Sequence, residues 1–242
     1  MKIGLVSEEF IDGDIKFNCR QIEKRLIECS QKGLDLICFG ESFLQGFQGL
    51  TWDYAEDLRR AKSQDDEVVV FLKRLARQHE IALSCGYFEK ERETIYCSNL
   101  VISHQGSILN NYRRLSPGWK EPKAGSNYRE GTQFSTFTYK GRRFAAAICG
   151  DLWAEANIRA AGQLEIDCLL WPNYLDYSLE KWESGEKEAY ARQVQGISGP
   201  VLMVNSYVKE DQRAKGGCCV FQNGLILQEL PVGNLGVLVY EL

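Results

Sequence analysis

The strongest constraint on the fold is a repeated switch between two hydrophobic periods, in which short apolar runs of strand length alternate with segments whose apolar residues recur every three or four positions. KIGLV (2–6) reads as a strand. From Asp14 to about Lys32, residues Ile15, Cys19, Ile22, Leu26 and Cys29 fall at steps of 4, 3, 4 and 3, an apolar stripe on one helix face that ends at Gly33. DLICF (35–39) follows as a short buried strand. DDEVVVFLKRLARQHE (65–80) is a helix opening on acidic residues suited to its N-terminus, and IALSCGYFE (81–89) is a strand again. TIYCSNLVIS (94–103) and SILNNYRR (107–114) flank the polar HQG segment as a hairpin. FSTFTY (134–139), RFAAAIC (143–149), IDCLLWP (166–172), PVLMVNSY (200–207), GGCCVF (216–221) and LILQE (225–229) are further strands, with helices expected at 153–163 and about 179–195. Hairpins mixed with strand-helix-strand units, without repeats or a break in composition, predict one layered α/β domain over 1–242.

Composition narrows the function. A net charge of −4 with no long run of one sign argues against a nucleic-acid surface. No apolar run approaches the roughly 18 residues that span a bilayer, and MKIGLVSEEF does not read as a signal peptide, so no membrane partner is expected and a cytoplasmic location is. Nine cysteines accompany only two histidines, His79 and His104, with no C-x-x-C and no zinc-ligand spacing. Reduced thiols are therefore expected. Most lie in apolar runs, where cysteine acts as a small buried hydrophobe.

Cys149 stands apart because it ends a buried strand and faces a helix expected to begin near Trp153. A thiol there meets the positive end of the helix dipole, which lowers its pKa, and backbone N–H groups able to hold an oxyanion. The alternative is a buried strand-end cysteine with Asp151 capping the helix. A nucleophile needs a base, and the histidines sit at a helix end and in a turn. The remaining candidate is Glu41, which follows a buried strand and precedes Phe43 and Leu44; a glutamate in partly apolar surroundings can act as general base near neutral pH. It reads equally as a loop glutamate or a helix cap.

Three separated segments resemble the nitrilase superfamily of carbon–nitrogen hydrolases. GLDLICFGESFLQGF is similar to the segment around the family's catalytic glutamate, usually Pro-Glu and here Gly40-Glu41. AICGDLWAE resembles the nucleophile segment, with Cys149, Asp151 and Leu152 in place and Arg159 ten positions on. WPNY and PVLMVNSY resemble the strands that follow. The resemblance implies a four-layer α-β-β-α sandwich and a Glu-Lys-Cys triad that cleaves nonpeptide amides or nitriles through a thioester. It also implies a small-molecule amide substrate, no metal or organic cofactor, and a homodimer or higher homo-oligomer.

The chain departs from the family at the lysine. Where members read Tyr-Arg-Lys, it reads Tyr112-Arg113-Arg114, with Glu121 seven positions on, where the family often carries a supporting glutamate. Arginine can fork onto an oxyanion but does not give up its proton to a leaving amine. Lys120, in the loop SPGWKEPKAGSNYREG (116–131), is the other candidate cation if that loop folds inward. Phe47, Trp119, Trp153 and Tyr174 are candidate pocket aromatics or simply core, Asp151 is a candidate substrate contact, and Asn173 is a candidate partner for a substrate carbonyl. The resulting expectation is a small-amide hydrolase. Its rivals are a catalytically impaired relative that binds a ligand or protein partner, an acyl or amidino transferase, and a plain α/β binding module.

Overall fold

A computed structural model describes residues 1–242. Its first half carries β1 (Lys2–Ser7), α1 (Ile15–Gln31), β2 (Leu36–Cys38), α2 (Tyr54–Arg60), α3 (Glu67–Gln78), β3 (Ala82–Glu91), β4 (Thr94–Ile102) and β5 (Ile108–Arg113). The second half carries β6 (Thr136–Tyr139), β7 (Arg142–Ala146), α4 (Glu155–Gly162), β8 (Cys168–Asn173), α5 (Leu179–Lys181), α6 (Lys187–Gln193), β9 (Val201–Asn205), β10 (Cys218–Gln222), β11 (Leu225–Leu230) and β12 (Gly236–Glu241).

The strands form two six-stranded sheets, β12-β1-β2-β3-β4-β5 and β11-β10-β9-β8-β7-β6. In each, a parallel trio (β1-β2-β3 and β7-β8-β9) is extended by antiparallel strands. Strands covered on both faces read as continuous apolar runs, and their alternation sorts residues between layers. Leu36 and Cys38 face the second sheet, against Phe144, Ile148, Leu170 and Val204. Ile37 and Phe39 face outward, against Ile22 and Leu26 of α1 and Leu72 and Leu75 of α3. On the far side, Leu169, Trp171 and Met203 pack against Ala161 of α4 and Tyr190 of α6. The result is the expected α-β-β-α sandwich. No helix is long and apolar enough to cross a membrane.

Local capping set the helix starts: Asp14 accepts from the Phe17 N–H at 2.9 Å, and Asp66 from the Val68 N–H at 3.2 Å. Two segments differ from expectation. The helix expected over 179–195 is broken into α5, a π-turn over Trp182–Glu186 and α6, because Gly185 adopts φ 136°, outside any helix. The last strand is β12 rather than LILQE; it pairs antiparallel with β1, Lys2 opposite Glu241, so the two ends of the chain share a sheet edge.

The α1 stripe yields a stability prediction. Leu26→Ala, fully buried, should cost about 2–5 kcal/mol in urea unfolding. Ile27→Ala, 40% exposed outside the buried stripe, should change stability by less than about 0.5 kcal/mol.

Candidate active site

The carboxyl ends of β2 and β5 in one sheet and of β7 and β8 in the other converge, and each delivers one polar side chain. Glu41 follows β2 in a tight turn where Ser42 has φ 50°, and its backbone N–H donates across the sheets to the Asn173 carbonyl at 3.2 Å. A Cβ on Gly40 would lie 2.3 Å from Ser206 Oγ and 3.0 Å from the Asn173 carbonyl oxygen, so any side chain here would force its neighbours to shift.

Cys149 opens a single 3₁₀ turn, Cys149–Trp153, with φ 43°, a left-handed conformation that costs a non-glycine residue about 1–3 kcal/mol. Asp151 and Trp171 hold the turn. The buried Asp151 carboxylate accepts from the N–H groups of Ile148 (2.9 Å), Leu115 (2.9 Å) and Ser116 (2.7 Å) and from the Tyr112 hydroxyl (2.6 Å). The Trp171 indole donates to the Cys149 carbonyl at 2.9 Å.

Arg114 lies beyond β5 and is 4% exposed. Its Nη1 donates to Glu41 Oε1 at 2.5 Å and its Nε to Ser116 Oγ at 2.8 Å. Nη2 lies against Gly150, where a Cβ would stand 2.7 Å from it. Burial is the largest single influence and opposes the guanidinium charge, but the Glu41 carboxylate, together with Cys149, Cys97 and Asp151, outweighs it, so the net shift is upward and Arg114 stays charged. Glu41 Oε2 is buried without a hydrogen-bond partner.

The thiol does not follow the dipole argument. Burial first, and the Glu41 carboxylate second, push Cys149 up to about 12, against a smaller lowering by Arg114. The 3₁₀ turn is short and α4 starts only at Glu155, so no long helix dipole meets the sulfur. Eight cysteines are buried and Cys149 is the partly exposed one.

Other expected residues fall in different places. Lys120 pairs with Glu130 at 2.5 Å and donates to the Tyr128 carbonyl at 3.1 Å, so its ammonium is committed within the loop. Glu121 is exposed and supports nothing in the cluster, because the loop turns outward after Trp119. Trp119 is 3% exposed among Trp52, Phe88 and Tyr128, a core residue rather than a pocket wall. Asp151, with its four donors, is an anchor rather than a substrate contact. Trp153 is 44% exposed against Tyr190. Asn173 spends its Nδ2 on the Trp171 carbonyl at 2.7 Å, leaving Oδ1 buried and unpartnered, an acceptor suited to an N–H rather than to a carbonyl. Tyr174 does flank the thiol, its carbonyl 3.9 Å from Cys149 Sγ, and its ring stacks on Phe47 at 4.2 Å. Ser116, Tyr112 and Cys97 join the cluster unforeseen. Tyr112 and Cys97 alternate inward along their strands as core residues do, and no local signal sets them apart.

The carbon–nitrogen hydrolase family profile matches residues 10–240. Among characterised proteins, the chain is 28% identical over 173 residues to an (R)-stereoselective amidase of a Pseudomonas species, covering 72% of this chain and 60% of that one. It is 26% identical over 221 residues to a citrullinase of Francisella tularensis, covering 87% and 75%. The match to nitrilase 1 of Arabidopsis thaliana spans 47% of that protein, so the chain spans only about half to three fifths of some relatives. The crystal structure of an amidase from a Nesterenkonia species superposes with a TM-score of 0.82 at 20% identity, covering 100% of this chain and 90% of that one.

The buried ion pair yields the second prediction. Arg114→Met should cost about 3–5 kcal/mol in urea unfolding, because it leaves a carboxylate buried without its partner. The double variant Glu41→Gln/Arg114→Met should recover part of that loss; additive losses would show that the two side chains are not coupled.

Proposed function

The chain belongs to the carbon–nitrogen hydrolase family, and we propose that it cleaves the C–N bond of small nonpeptide amides through a thioester on Cys149. The observation that carries this reading is the buried Arg114–Glu41 pair at 2.5 Å beside a cysteine in a left-handed turn. The amidase and citrullinase among its relatives support the substrate class.

A thiol at about 12 is protonated in the resting protein at neutral pH, so proton transfer accompanies attack. Glu41 Oε2, the carboxylate oxygen without a partner, takes the thiol proton as sulfur bonds to the amide carbon. Arg114 Nη2 and the Gly150 N–H donate to the oxyanion of the tetrahedral intermediate. Arginine does not release a proton at neutral pH, so the proton reaching the leaving nitrogen is the one Glu41 took from sulfur. Collapse expels ammonia or an amine and leaves the thioester. Glu41 then draws a proton from water, hydroxide adds to the thioester carbon, and the carboxylic acid departs as the thiol is restored. Both sheets contribute to this cluster, which supports reading residues 1–242 as one domain. Eight buried free thiols support a reducing compartment such as the cytoplasm.

A panel of short aliphatic and ureido amides tests the proposal. Ammonia release should vanish in Cys149→Ala, and intact mass should show an acyl adduct on Cys149. Arg114→Ala should lower kcat/KM by on the order of 10²–10³, whereas Lys120→Ala should stay within about threefold of the parent. A larger loss in Lys120→Ala would overturn the choice of cation. An adduct discharged by an amine but not by water would mark a transferase, and ligand binding without any adduct an impaired relative.

A further inference from the structure

The two oxygens of Glu41 have different surroundings. Oε1 receives Arg114 Nη1 at 2.5 Å and the thiol of Cys97 at 3.4 Å, while Oε2 receives nothing. Cys97 is 1% exposed and points between the sheets from the middle of β4. Pairing with Phe88 on β3 fixes its backbone, and its carbonyl accepts the Arg114 N–H at 2.8 Å, so one residue registers both the strand that ends in Arg114 and the carboxylate that Arg114 grips. Ser42 Oγ lies 3.6 Å from the same sulfur. We propose that Cys97 is a positioning residue for the base, its S–H and the Arg114 guanidinium together holding Glu41 Oε1 so that Oε2 is left to take the proton of Cys149. This inference rests on the reading of Glu41 as base.

Burial, and then the Glu41 charge, raise the Cys97 thiol well above its ordinary value, so it remains a donor throughout the working range. The titratable and charged groups around Glu41 are Arg114 beyond β5, Cys97 on β4 and Cys149 beyond β7, with Asp151 and Tyr112 behind Arg114. Donation to a carboxylate favours its charged form. A thiol is a weak donor, so a hydroxyl here strengthens that effect and a methyl removes it.

The test is the pH profile of Cys149 alkylation by chloroacetamide, read by intact mass, with Cys149→Ala as blank and Glu41→Gln as control. Cys97→Ala should move the acid limb up by about half a pH unit or more, and Cys97→Ser should move it down. Loss of packing alone gives no such opposite shifts, and if Cys97→Ala fails to fold, the near-isosteric Cys97→Ser still decides. Should Glu41→Gln leave the limb in place, Glu41 is not the base and both readings fall. Should Glu41→Gln abolish the limb while the Cys97 variants keep the parent profile, the Cys97 assignment alone is overturned.

Discussion

A guanidinium and a carboxylate, 4% and 0% exposed, meet between two sheets at 2.5 Å. Neither is tolerable there alone, because each charge has lost its water and only the other compensates it. The pair dictates much of its surroundings. Arg114 needs Ser116 for its Nε, Gly150 to leave room for Nη2, and a strand end that brings its backbone to Cys97. Glu41 needs a turn that carries Ser42 at positive φ and a glycine before it where Ser206 comes close.

The sandwich supplies those conditions because the two sheets are built alike. Each has a central parallel trio whose carboxyl ends emerge on one side, and such ends are where open α/β sheets gather polar groups. Asp151 joins the halves. Its four donors come from the cysteine turn and from the strand end that carries Arg114, so the positions of the proposed nucleophile and its cation are mechanically linked. In the proposed chemistry, a lysine-to-arginine exchange moves the proton traffic onto Glu41 and leaves the cation a purely electrostatic role.

Much of this was legible in the chain. The stripe through Ile22 and Leu26, the buried run DLICF and the hairpin at HQG each became the expected element, because period and turn chemistry are local properties. The seven-residue α2 and the half-exposed β12 were not foreseen: one is too short to display a period, and the other owes its existence to pairing with β1. Glu41 and Cys149 were also legible, since polar residues at the ends of apolar strands stand out, whereas Arg114 was marked only by the resemblance to the nitrilase superfamily.

Residue type and spacing therefore determined one layered α/β domain and singled out Cys149 and Glu41 as candidates, while the resemblance to the nitrilase superfamily implied the four-layer sandwich and marked Arg114 as the departure, with Lys120 still open as the cation. Tertiary structure decided which cation lies beside Glu41, because only the path of the 116–131 loop sends Lys120 to Glu130 and Glu121 to solvent while Arg114 turns inward. It also reversed the expected shift of the Cys149 thiol, since burial and a neighbouring carboxylate act through space and outweigh a short turn's dipole. Cys97 joined the cluster for the same reason: strand pairing, which no local pattern encodes, set its sulfur against Glu41.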